Sequence, residues 1–161
     1  MKLSPVGIEL LKVLEGNEPF PYEDAAGLWT MGIGHLLTKS EMASGKIFLT
    51  GYGLVKYGRD AWPEDWCEAL LRMDLRSVEA ALHLLVRVAL TQPQYDALCC
   101  WTFNVGNNAM RTSTLLAQLN TGHYDQVPVQ MRRWVYAGGR VLQGLKNRRE
   151  REIALWEAGA A

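Results

Sequence analysis

The sequence predicts an α+β fold: a small sheet-bearing N-terminal lobe, a long helix, and a helical C-terminal lobe packed on the first helix. Three observations carry it. Residues 20–33 mix prolines and glycines with the strand-like alternation Leu-Trp-Thr-Met-Gly-Ile. Cys67, Leu71, Leu75, Val78, Leu82, Leu85 and Ala89 fall on one continuous helical stripe. Beyond Thr91, helix starts and stops follow one another with no strand pattern between them. At 161 residues, 48% hydrophobic and 21% charged, the chain has the means to bury a core and is too short for two independent domains.

Ser4 is placed to cap a first helix with Pro5 at its first position, and Gly16 stops it, which makes Glu15 its last residue. Val6, Leu10, Val13 and Leu14 form its apolar stripe. A small β-hairpin follows, turning near Ala25-Ala26-Gly27. Thr38-Lys39-Ser40-Glu41 is a capping-box pattern that opens a short helix, while the glycine-rich stretch from Gly45 to Gly58 specifies no element. Pro63 opens the longest helix, which at roughly 1.5 Å per residue is longer than one small lobe is wide. The expected division within one domain of 161 residues is therefore about 16–62 for the sheet-bearing lobe, 1–15 with 91–161 for the helical lobe, and 63–90 for the connecting helix. Thr91-Gln92-Pro93-Gln94 starts the next helix and Gly106 stops it. Shorter helices are expected over Thr112–Asn120, Asp125–Trp134 and Lys146–Glu157, so that the C-terminal half reads as wholly helical.

Composition excludes several function classes. Lys and Arg balance Asp and Glu at 17 each, and no base-reading motif is present, which argues against a nucleic-acid partner. The balance hides an asymmetry, because residues 130–152 carry seven basic side chains against Glu150 and Glu152, a patch suited to an anionic polymer or to a solvated helix face. No apolar run reaches the roughly 18 residues of a membrane helix, and Glu9 and Lys12 interrupt any signal-peptide core, so no membrane partner is expected. Cys67, Cys99 and Cys100 are expected as free thiols in a reducing compartment. Neither they nor His35, His83 and His123 have metal-ligand spacing, and no metal or cofactor is expected.

The segment from Glu15 to His35 carries the chemistry. It places Glu15 at a helix C-terminus, Asp24 in a polar turn and Thr30 on the next strand. The negative end of a helix dipole disfavours ionisation, which suits a proton donor, whereas a polar turn suits an ionised carboxylate. Two carboxyls in opposed environments are what glycoside hydrolysis requires: one protonates the leaving oxygen, and the other activates water or stabilises the cationic transition state. Thr30 could hold that water. Spacing alone equally allows Glu15 and Asp24 to be ordinary surface acids. Gly32 and Gly34 read as strand bulges or as room for a substrate, and His35 as a structural histidine paired to an acid.

The pattern Glu15, Asp24, Thr30, Gly32-Ile33-Gly34-His35 resembles the active-site signature of the phage-type lysozymes, endolysins that cut bacterial peptidoglycan. Later motifs resemble family landmarks in family order: Gln94 with Ala97-Leu98, Phe103-Asn104-Val105-Gly106, Ser113-Thr114-Leu115-Leu116, Arg133-Trp134-Val135-Tyr136-Ala137-Gly138-Gly139, Gly144-Leu145, and Arg148-Arg149 through Glu152. Cys99-Cys100-Trp101-Thr102 departs from the family pattern and reads as a repacked core. The resemblance implies a lysozyme-like fold, with Glu15 as general acid, Asp24 as second carboxylate and Thr30 as the hydroxyl of a catalytic triad. It implies hydrolysis of the β-1,4 bond between N-acetylmuramic acid and N-acetylglucosamine, with Phe103, Asn104, Gly34 and Leu36 facing the substrate, His35 behind them, and Arg148 beside the glutamate. The expected partner is the peptidoglycan glycan strand, cut by a monomer that waits in the host cytoplasm for a holin to open the inner membrane. A lytic transglycosylase on the same bond and a non-catalytic wall-binding module are the alternatives.

Overall fold

The computed structural model describes residues 1–24 and 27–159, so Ala25 and Ala26 of the expected hairpin turn lie outside the described residues. Two compact units emerge, one of residues 1–10 with 77–161, the other of residues 11–76. The unit boundaries fall inside two helices, α1 (Pro5–Glu15) and α3 (Glu64–Leu85).

In the unit of residues 11–76, the end of α1 is followed by a three-stranded antiparallel sheet of β1 (Glu18–Glu23), β2 (Trp29–Gly32) and β3 (His35–Leu36). Its register sets Tyr22 opposite Thr30, and Thr30 opposite Leu36, so these three side chains stand in one cross-strand row. Helix α2 (Lys39–Ser44) begins with the expected capping box: Glu41 N–H donates to Thr38 Oγ1, and the Glu41 carboxylate accepts from Thr38 N–H at 2.8 Å. The segment that specified no element forms a hairpin of β4 (Lys46–Leu49) and β5 (Gly53–Lys56), burying Ile47, Leu49 and Val55 on one face. Its turn is tied to α3, where Arg76 donates to Thr50 Oγ1 at 2.9 Å. Strand β2 lies on the same helix, because a Cβ added at Gly32 would stand 3.8 Å from Cys67 Cα.

The other unit is built around α4 (Gln92–Val105), in which residues 94–102 are all buried. Helix α5 (Asn107–Thr112) follows, then α6 (Thr114–Asn120), α7 (Gln126–Met131) and α8 (Gln143–Ala158). Gly7 of α1 faces α4, with the Cys100 thiol 3.7 Å from its carbonyl oxygen. All three cysteines are free and buried.

Four expectations are corrected. Val6 and Val13 are exposed, at 63% and 62%, and α1 buries Gly7, Ile8 and Leu11 instead. A glycine counts for nothing in an apolar stripe, yet it lets the helix approach a neighbour most closely. The long helix stops at Leu85, not near residue 90, because the side-chain amide of Asn120 donates to Leu85 C=O at 2.9 Å and its oxygen accepts from Arg87 N–H at 2.8 Å. That cap comes from a residue 35 positions away, beyond any local pattern. Residues 107–120 form two helices and not one from Thr112, because Ser113 donates to Met110 C=O and caps α6 by accepting from Leu116 N–H. The C-terminal half is not wholly helical: β6 (Tyr136–Ala137) and β7 (Arg140–Val141) form a hairpin, which shortens the helix expected over Asp125–Trp134. Gly138 and Gly139, at φ +55° and +75°, make the two-residue turn whose twist matches paired strands.

His35 joins strand β3 to helices α2 and α3. Its Nδ1 lies 2.9 Å from Asp74 Oδ2 and its Nε2 3.3 Å from Glu41 Oε2. Burial by itself would lower the imidazolium pKa, but the hydrogen bond and charge of Asp74, joined by those of Glu41, outweigh it and the net direction is up. A raised folded-state pKa gives stability that is fully present below the unfolded value of about 6.5 and is lost as pH rises through the folded value. The melting temperature is therefore expected to fall as pH climbs above about 6.5. A His35→Gln variant should melt lower at acid pH and lose that part of the slope, as a pH series of thermal melts would show.

Candidate active site

Glu15 ends α1 because Gly16, at φ +81°, turns the chain while its N–H still donates to Lys12 C=O at 3.0 Å. Its side chain lies against the β2–β3 turn. A Cβ added at Gly34 would stand 3.1 Å from Glu15 Oε2 and 3.3 Å from Glu15 Cβ, and Gly34 itself adopts φ +72°. Only glycine meets both demands, the left-handed backbone and the close approach.

Asp24 and Thr30 are anchored to one residue. Asp24 Oδ1 accepts from Leu28 N–H at 2.8 Å, and Thr30 Oγ1 donates to Leu28 C=O at 3.2 Å. The same carbonyl accepts from Asp24 N–H at 2.9 Å. Thr30 is 4% exposed, so its hydroxyl has little freedom to swing away. With its proton directed at Leu28, that hydroxyl presents lone pairs to anything beside it.

Tyr22 is a site residue that the sequence reading passed over. It stands opposite Thr30, and burial, then the negative charges of Glu18, Glu15 and Asp24, raise its phenol pKa. It remains a neutral hydrogen-bond donor in the field of both carboxylates. Once the hairpin register is counted back from Thr30, Tyr22 falls opposite it, and that was the available signal. Leu36, also opposite Thr30, is 53% exposed, while Leu28 and Trp29 add further exposed apolar surface.

The unit of residues 11–76 thus holds Glu15, Asp24, Thr30, Gly34, His35 and Leu36, with Glu15 against Gly34 and Thr30 opposite Leu36. Phe103, Asn104 and Arg148 belong to the other unit. There Phe103 is half-buried, and the Asn104 side-chain oxygen accepts from Arg149, a fully buried arginine that the sequence reading left without a role. Arg149 also pairs with Glu152 at 3.1 Å, and Arg148 donates to Glu152 at 3.0 Å and to Cys100 C=O at 3.3 Å. Arg132 is held by Glu150 through bonds of 2.9 and 3.0 Å. Of the seven basic residues expected as a patch over 130–152, Arg148 and Arg149 are therefore buried and Arg132 is paired with Glu150, while Arg133, Arg140, Lys146 and Arg151 remain exposed. Among the described residues, no cluster of His, Cys, Asp and Glu suited to a metal ion occurs, and no helix is long and apolar enough to cross a membrane.

Residues 12–152 match the family model described as phage lysozyme. The SAR-endolysin of Escherichia phage Mu is 40% identical over 148 residues, covering 92% of this chain and 77% of the relative. Among solved structures, a leucine-to-methionine variant of P22 lysozyme superposes with a TM-score of 0.80 at 37% identity, covering 98% of this chain and 99% of the other. The muramidase domain of SpmX from Asticaccaulis excentricus gives a TM-score of 0.77 at 30% identity, covering 96% and 97%.

The contact between Gly34 and Glu15 can be tested against a control with the same backbone. Alanine in the left-handed region costs about 1–2 kcal/mol at either Gly34 or Gly45, where φ is +63° and an added Cβ would meet nothing within 4 Å. Both Gly→Ala variants are expected to lose similar stability in thermal melts. Only Gly34→Ala should also lose lytic activity on permeabilised Gram-negative cells, by roughly tenfold or more, because it displaces the glutamate.

Proposed function

The chain belongs to the phage lysozyme family, and on that premise we propose that it is a muramidase that hydrolyses the β-1,4 bond between N-acetylmuramic acid and N-acetylglucosamine in peptidoglycan. The observation that carries this reading is the shared anchorage of Asp24 and Thr30 on the backbone of Leu28. A water lying between them directs one O–H at the Asp24 carboxylate and the other at the lone pairs of Thr30. Its own lone pair then points outward, toward an anomeric carbon. Glu15 donates its carboxyl proton to the glycosidic oxygen as the carbon–oxygen bond breaks, and Asp24 takes the proton of the attacking water. One displacement by water inverts the centre, so the first-formed reducing end is the α-anomer.

A lytic transglycosylase needs a single acid, because the substrate's own hydroxyl attacks and a 1,6-anhydro sugar forms. A second carboxylate tethered beside a hydroxyl serves no purpose in that reaction. Mass spectrometry of the released fragments separates the two, since an anhydro product is lighter by one water and would overturn hydrolysis. Proton NMR of early product reads the anomer.

The route to the wall is proposed to run from the host cytoplasm through an inner membrane opened by a holin, with the enzyme acting as a monomer. Lysis of host cells that express the chain without a holin would overturn that route.

The triad itself is tested by substitution. Glu15→Gln keeps shape but cannot donate a proton, and turnover should fall by at least about 10²–10⁴. Its melting temperature should hold or rise, because a neutral amide suits the helix C-terminus at least as well as a carboxylate. Thr30→Ser retains the acceptor and should cost less than Thr30→Val. Near-normal clearing of a cell suspension by Glu15→Gln would sink the assignment.

A further inference from the structure

The unit of residues 11–76 contains a cavity of about 640 Å³ whose lining includes none of Glu15, Asp24 or Thr30. Tyr57, Trp62 and Trp66 supply aromatic walls, and Lys56, Arg59 and Asp60 lie around them. Trp62 meets Trp66 edge to face at 5.5 Å, and Trp66 in turn packs on Tyr52 at 5.8 Å, so the half-buried Trp66 ring is held from two sides. Trp62 is fixed further, its indole N–H donating to Lys56 C=O at 2.9 Å. In contrast, the side chains of Lys56, Arg59 and Asp60 make no hydrogen bond or ion pair among the described residues. Leu54, which also lines the cavity, is 63% exposed and pairs across the hairpin with Phe48, exposed at 57%.

A rigid aromatic wall beside unspent polar groups matches one ligand chemistry closely. A pyranose ring has an apolar C–H face that stacks on an indole and a rim of hydroxyls that need donors and acceptors. Arg59 can only donate and an ionised Asp60 can only accept, so together they can satisfy a hydroxyl both ways. Leu54 and Val55 offer apolar contact for an acetamido methyl. We propose that this cavity is a second, non-cleaving site for N-acetylated amino sugars of a glycan strand. The proposal rests on the muramidase reading for the identity of that strand. A second contact on an insoluble polymer holds the enzyme near its next bond by effective concentration, with no change in the chemistry at the first.

The test uses the full chain carrying Glu15→Gln, so that nothing is cut, and does not depend on lysis. Titration with an N-acetylglucosamine tetramer is expected to shift the Trp66 indole N–H signal saturably in proton–nitrogen NMR. Arg59→Ala with Asp60→Asn leaves net charge unchanged and removes only side chains without partners. It should weaken co-sedimentation with purified peptidoglycan sacculi roughly tenfold. Placed in the otherwise unmodified enzyme, the same pair should leave turnover of a short soluble oligosaccharide unchanged. An unmoved Trp66 signal, undiminished sacculus binding, or an equal loss on the short substrate would each overturn the proposal. Failure of the muramidase reading would show separately, as an unmodified enzyme that clears no cells while Trp66 still responds to sugar.

Discussion

The turn Gly32-Ile33-Gly34 is the constraint from which the sheet-bearing unit is built. Gly32 and Gly34 take φ of +60° and +72°, which reverses the chain within the three residues between Met31 and His35 and sets the register of β2 on β3. That register puts Thr30 beside Leu36 and Met31 beside His35. Met31 is then fully buried, while His35 reaches Asp74 on α3 and Glu41 on α2. The same turn closes over Glu15 on one side and, at Gly32, lies on Cys67 and Leu70 on the other. A side chain at either glycine would disturb a chemical group and a packing surface together, so fold and site share one local solution.

Charge burial gives the second unit its organisation. Arg149 and Glu152 are wholly buried and Arg148 nearly so, all on α8 within five consecutive residues. Burying an ion is costly unless it is paired and hydrogen-bonded, and here each has partners: Glu152 for both arginines, the Cys100 carbonyl for Arg148, Asn104 for Arg149. Removal of Glu152 would take from both arginines the carboxylate they share. Such a network fixes the orientation of the Asn104 amide, which would otherwise be an exposed side chain with several rotamers.

Features written in adjacent residues were legible in the sequence. Pro5 and Gly16 bound α1, Thr38 and Glu41 form the capping box, and Gly106 stops α4, because caps are made of side chains within a few positions of the backbone they satisfy. The spacing of Glu15, Asp24 and Thr30 was legible for a similar reason, since one helix end and one hairpin hold all three. What escaped was made by distant partners. Asn120 ends α3, Arg149 orients Asn104, and α4 selects which face of α1 is buried. The hairpin at Gly138-Gly139 is a different case: its signal was local, but two-residue strands are too short to show alternation.

The cross-strand row of Tyr22, Thr30 and Leu36 shows why Thr30 and not serine suits its place. Strand β2 is buried from Thr30 to Gly32, and a β-branched residue there has its χ1 restricted and its methyl available for packing. Serine would keep the oxygen but gain rotamers, some of which would break the bond to Leu28 and return the hydroxyl to solvent as a donor. Valine would keep the shape and lose the acceptor. Tyr22 on one side contributes a phenol kept protonated by burial and by the surrounding carboxylates, and Leu36 on the other contributes exposed apolar surface. The row therefore grades from a donor, through a fixed acceptor, to a surface on which the apolar face of a sugar can lie. Its order is set by strand register alone, and a one-residue slip would turn all of it to the opposite face of the sheet.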